Sequence, residues 1–145
     1  MKEFTKELSA GSWFGKTYLK HFKEEEFKRA TPACSLSDMD LNFMLGIDEA
    51  RELAQVPFIV LSAYRSEEHE LSRGRSGKSS HTKGLALDIK CLDSVTRLKI
   101  LNALFELKFP RIGIYKTFIH VDSDLSKPKC VWLDSSDSAL FKDEF

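Results

Sequence analysis

The run from Gly84 to Lys90 limits this chain more than any other stretch. Side chains along a strand alternate between two faces. Leu85, Leu87 and Ile89 therefore share one face, while Gly84, Ala86 and Asp88 share the other. The first is a core face. The second has two residues with almost no side chain and ends in a carboxylate, so a group can sit against the strand. His81 enters from the loop just before it. A histidine and a carboxylate converging on a cleared space suit a metal ion, and Ile119–Asp122 offers a further ligand, His120.

The chain has 145 residues, which suits one domain, residues 1–145. A hydrophobic content of 42% with 30% charged residues fits an ordinary folded domain. The formal net charge is +0, so bulk electrostatics gives no ground for a nucleic-acid or membrane partner. No apolar run is long enough for a membrane span, and the N-terminus lacks the apolar core of a secretory signal. Synthesis in a cytoplasm follows as an expectation. Cys34, Cys91 and Cys130 are odd in number and scattered, so reduced thiols, all three small buried hydrophobes, are expected rather than a disulfide framework.

Residues 1–30 mix aromatics with lysines and glutamates, compatible with one or two helices separated near Gly11 and Gly15. From Asp40 to Ala54, Leu41, Met44, Leu45, Ile47, Ala50, Leu53 and Ala54 recur at helical spacing. Phe58–Tyr64 reads as a buried strand ending at Arg65. A helical turn over Glu67–Leu71 and a loop carrying Arg73, Arg75 and Lys78 come next. Asp93 or Ser94 caps a helix with Val95, Leu98, Leu101, Ala103, Leu104 and Leu107 as its apolar positions. Arg111–Tyr115 and Phe118–Asp122 read as two short strands around Lys116 and Thr117, and Cys130–Leu133 as a last one. Residues 134–145 are expected to fray. Strands and helices intersperse without a βαβ phosphate loop. The expected class is α+β, a small and mainly antiparallel sheet flanked by helices.

Along Phe118–Asp122 the alternation sets Phe118, His120 and Asp122 against Ile119 and Val121. If the latter pair faces the core, His81, Asp88 and His120 make a His/Asp/His set. Zinc with three protein ligands keeps a fourth position open, which is the catalytic arrangement. Spacing alone leaves the blander alternative equally open. His81 would then be a solvated loop residue, Asp88 a strand terminator, His69 a surface residue, and Asp122 and Asp124 turn carboxylates.

The ordered set Ser79-x-His81-x-x-Gly84-x-Ala86-x-Asp88, then His120-x-Asp122, resembles the zinc D-Ala-D-Ala carboxypeptidase and L-Ala-D-Glu endopeptidase family of peptidoglycan hydrolases. Leu61–Ser66 is similar to that family's Ser-Gly-Tyr-Arg-Ser segment, and Trp132 sits where many members carry a tryptophan. The likeness runs from about residue 27 to 133. It implies the hedgehog/DD-peptidase fold and one Zn2+ on His81, Asp88 and His120. It further implies Arg65, Tyr64 and Ser79 as substrate contacts, with Arg65 and Asp122 serving catalysis. The implied substrate is a peptidoglycan peptide, handled by a monomer acting on the bacterial cell wall. The compact chain is most similar to short members from bacterial viruses and some bacteria.

The chain also departs from the family. Many members place an acidic general base three residues before the last histidine, where this chain has Thr117. Asp122 is the substitute by strand alternation, either as base or as the carboxylate that holds a ligand histidine by its other nitrogen. Both roles stay open. With the base lost, a zinc-containing wall-binding module without turnover is the alternative function. Ala63 replaces the usual glycine, and Glu70 stands where asparagine is common.

Overall fold

The computed structural model describes residues 2–3 and 18–134, so the helices expected near Gly11 and Gly15 and most of the expected tail lie outside the described residues. The elements are β1 (Lys2–Glu3), β2 (Tyr18–Leu19), α1 (Glu24–Lys28), α2 (Leu41–Ala54), β3 (Val60–Ser62), α3 (Glu67–Ser72), β4 (Ala86–Lys90), α4 (Ser94–Glu106), β5 (Arg111–Ile114), β6 (Phe118–Asp122) and β7 (Cys130–Leu133). A small sheet pairs β1 with β2, and the main sheet runs β3-β4-β6-β5-β7. The class is α+β.

The main sheet is mainly antiparallel, as expected, but mixed rather than purely so. β3/β4, β4/β6 and β6/β5 are antiparallel, but β7 runs parallel to β5. The chain leaves β6 at Asp122 and crosses beyond the end of β5 before turning back, so β7 starts level with Arg111 and runs alongside β5.

α2 explains most of the core. Asp40 caps it by accepting from the Phe43 amide, a bond worth about 1 kcal/mol. Phe43, Met44, Leu45, Ile47 and Ala50 are buried, whereas Leu53, on the expected apolar stripe, is exposed. α2 packs against α4, which buries Ile100, Ala103 and Leu104. Val95 and Leu98, expected on the inner face, point outward. The register of α4 follows its contact with α2, which a list of apolar residues does not reveal.

The expected strand at Phe58–Tyr64 shortens to Val60–Ser62 at the sheet edge, with Ile59 exposed. Gly84 is likewise not a strand residue. It takes φ +70 and closes a 3-10 turn over Ser80–Lys83. A Cβ there would lie 2.5 Å from the Asp38 carbonyl oxygen. The glycine is demanded by close backbone approach, not by room for a ligand. Cys34 and Cys91 are buried, Cys130 is exposed, and all three thiols are free.

Candidate metal centre

Adjacent central strands carry two of the three candidate ligands. Asp88 on β4 lies directly opposite His120 on β6. Ile119 and Val121 are buried in the core, which turns Phe118, His120 and Asp122 to the opposite face. His81 comes from the 3-10 turn. Ser79 caps that turn, its hydroxyl accepting from the His81 amide at 3.2 Å.

The two imidazoles are oriented from behind by different acceptors. Nδ1 of His81 donates to the Ala63 carbonyl at 2.6 Å, which turns Nε2 toward Oδ1 of Asp88 at 3.4 Å. His120 presents the other nitrogen. Its Nδ1 faces the same Asp88 oxygen at 2.9 Å, while Nε2 is bonded to Asp122 at 2.7 Å. One donor atom from each of His81, Asp88 and His120 lies within 4.8 Å of the others. A tetrahedral ion with arms of ~2.0–2.1 Å would separate its ligand atoms by roughly 3.3 Å. The spacing around Asp88 brackets that value, and two nitrogens with one carboxylate oxygen form a donor set that zinc accepts. The residues fit the ion.

Charge supports the same geometry. Burial opposes ionisation of Asp88, but hydrogen bonds from His120 and His81 outweigh it and hold the carboxyl well below its usual range. Burial likewise disfavours the His120 cation, yet its bonds to Asp122 and Asp88 win and push the imidazole up. The two carboxylates that favour the charged imidazole would equally favour a metal cation among these side chains.

Behind the ligands, Asp122 is almost wholly enclosed. Its Oδ2 is bonded to His120, and its Oδ1 accepts from the Asp124 amide at 3.0 Å and lies 3.0 Å from Nε of Arg111. Arg111 and Asp122 are direct partners across β5 and β6. Asp124 ties the loop after β6 to the histidine turn, accepting from the Ser80 hydroxyl at 2.8 Å and from Lys83 at 3.1 Å.

The centre opens into a cleft of about 330 Å³ that is also lined by Arg65, Ser79, Phe118, Lys127, Tyr115 and Trp132. Nε of Arg65 faces Oε1 of Glu70 at 3.5 Å, and the second Glu70 oxygen accepts from Arg75 at 2.6 Å. Glu70, unexplained in the sequence, is a buried anion between two arginines. Tyr64 is not among the residues lining the cleft and instead packs against the core. Sequence reasoning missed Tyr115, Arg111 and Lys127, whereas strand alternation had already set Phe118 on the face of His120 and Asp122.

A family model described as Peptidase M15 matches residues 20–122. No curated protein and no solved structure matches the chain.

Proposed function

Because the chain belongs to the peptidase M15 family, whose members are metal-dependent hydrolases, we propose that it is a zinc metallopeptidase cutting an amide bond in peptidoglycan stem peptides. D-Ala-D-Ala carboxypeptidase and endopeptidase or endolysin-type cleavage both fall within this reading. The observation that carries it is the convergence of His81, Asp88 and His120 at the base of an open cleft.

Zinc supplies a Lewis acid that polarises a carbonyl and brings the pKa of water down to about 7. His81, Asp88 and His120 would hold it through Nε2, a carboxylate oxygen and Nδ1. The Ala63 carbonyl and Asp122 keep the two rings turned for that task. Arg65 binds an anionic group of the peptide. Its Nε is turned to buried Glu70, which leaves the terminal nitrogens for a carboxylate that matches the guanidinium fork. Ser79 shapes the floor of the cleft by bracing the His81 turn. Asp122 acts as a positioning residue for His120 rather than as the base, because its side chain is 1% exposed and both oxygens are engaged. Trp132 and Phe118 give the substrate an aromatic wall.

The second reading, a zinc-bearing wall-binding module without turnover, is favoured by Thr117. That residue is exposed on the turn before β6, and a hydroxyl cannot take up a proton at neutral pH. One experiment separates the two. Purified protein is assayed for metal and incubated with muropeptides, with and without a chelator, under mass spectrometry. The peptidase reading expects one zinc per chain and chelator-sensitive release of amine-bearing fragments. Zinc with wall binding but no cleavage would replace it by the second reading, and absence of metal would overturn both.

A further inference from the structure

The aromatic wall of the cleft contains a polar chain that the peptidase reading leaves unused. Tyr115 follows β5, with its ring stacked on Phe118 at 4.3 Å and 8°. Its hydroxyl accepts from the indole N–H of Trp132 at 2.9 Å. Trp132 is itself held in place. It lies over Gly113, where a Cβ would come 2.5 Å from the indole. The Arg111 guanidinium stands 5.0 Å from its ring, and the His120 ring is 5.4 Å away.

A phenol has one donor and two acceptor positions, whereas an indole nitrogen can only donate. Trp132 therefore occupies an acceptor position on Tyr115 and leaves the phenolic proton uncommitted, and no bond donated by it to a described residue is present. Tyr115 lines the cleft together with His81, Asp88 and His120. The strand order β3-β4-β6-β5 sets Tyr115, after β5, and Arg65, after β3, on opposite flanks of the strands that carry Asp88 and His120.

We propose that Tyr115 is a further catalytic residue, its hydroxyl donating a hydrogen bond to the carbonyl oxygen of the scissile amide as negative charge grows there. This inference rests on the peptidase reading and adds a donor to it. The phenolic proton stays on its oxygen throughout. Hydrolysis still adds one water across the C–N bond and yields a carboxylate and an amine. The donor is held in place before reaction by Trp132 and Phe118, so little reorganisation is needed when the charge develops. Arg65 is then free to bind a peptide carboxylate on the other flank.

The test compares wild type with Tyr115→Phe and Trp132→Phe on purified muropeptides. Loss of one preorganised donor lowers kcat by roughly 10²–10³-fold in comparable sites. Tyr115→Phe is expected to lose kcat by roughly that factor, with KM and zinc content unchanged. Its affinity for a phosphinate analogue of the cleaved dipeptide should fall by a similar factor, while affinity for the product peptide stays the same. Trp132→Phe, which keeps the phenol but not the indole donor, should fall between the two. A Tyr115→Phe enzyme within twofold of wild type would overturn the proposal. So would a loss matched by equal losses in product affinity or zinc content, since that marks a structural role. A wild type that cleaves no muropeptide removes the peptidase reading and this inference together. An active wild type with an equally active variant removes this inference alone.

Discussion

Asp122 is bonded to Nε2 of His120 at 2.7 Å, while Nδ1 of the same ring faces Asp88 at 2.9 Å. One imidazole thus spans two carboxylates, one beside the proposed ion and one behind it. Carboxylates in the rear position fix ring orientation, and their loss typically lowers metal affinity by about 10–100-fold. Asp122→Asn is expected to weaken zinc binding by about that factor, measured by competition with a chelating dye. A general base would behave differently. Its loss would cut kcat by roughly 10²–10⁴-fold and leave affinity alone, and that result would return the proton-transfer role to Asp122.

Zinc should stabilise the fold, since the three ligands come from a turn and two different strands. A ligand that binds only the folded chain adds about 2.7 kcal/mol at a hundred times its Kd. A chelator is expected to lower Tm by several degrees, and added zinc to restore it. His81→Ala should show neither response. An unchanged Tm with and without chelator in the native chain would contradict the proposed centre.

Glu70 is buried between Arg65 and Arg75. Replacing it with glutamine keeps the shape and removes the charge. The variant should lose about 1–3 kcal/mol of stability, the usual cost of leaving a buried polar partner unsatisfied. It should also raise KM more than it lowers kcat, because Arg65 loses its anchor but the metal ligands do not. A kcat loss with KM unchanged would place Arg65 at the reacting carbonyl instead.

The same carboxylate shapes the response to acid. Burial alone would raise the Glu70 carboxyl, but Arg75 and Arg65 hold it lower. Asp124, hydrogen-bonded by Ser126, Ser80 and Lys83, is also held well below its usual range against the effect of burial. Both titrate lower in the folded chain than in the unfolded one. The stability they contribute is fully present above the ordinary carboxyl range of ~4, begins to fall there, and is lost as pH drops through the lower values of the folded chain. Denaturant midpoints should therefore drop below about pH 4.5, and Glu70→Gln should flatten that drop. A midpoint constant from pH 6 to about pH 3 would refute the linkage.

Gly84→Ala tests the turn that delivers His81. The residue has φ +70, and an added Cβ would meet the Asp38 carbonyl oxygen at 2.5 Å. A cost of roughly 1–3 kcal/mol is expected from the left-handed backbone and the clash, read as a fall in the chemical-denaturation midpoint. A change below about 0.5 kcal/mol, the level of an ordinary surface substitution, would mean that the turn relaxes freely.

Much of this molecule follows from patterns only a few residues long. Leu87 and Ile89 on one face of β4, with Ala86 and Asp88 on the other, is the period of two that any strand imposes. Ile119 and Val121 repeat it on β6, and that repetition turns His120 toward Asp88. Asp40 and Asp93 cap their helices because a carboxylate satisfies an amide left open by the first turn. The motif Ser79-x-His81-x-x-Gly84 already held the cap, the ligand and the turn closure.

Contacts across long stretches of chain decided the remainder. Val95 and Leu98 are as apolar as Ile100 and Leu104, and only the position of α2 chooses which pair is buried. β7 lies parallel to β5 because the crossing after Asp122 returns it there, and Cys130–Leu133 contains no sign of direction. Which nitrogen each imidazole presents depends on the Ala63 carbonyl behind one ring and Asp122 behind the other. Tyr115 meets Trp132 across the β5/β7 pairing. Periodicity and caps act within a turn or two of chain and are written in residue order. Ring orientation, helix register and the aromatic wall are set by neighbours far away in sequence, so they came into being only when the chain packed.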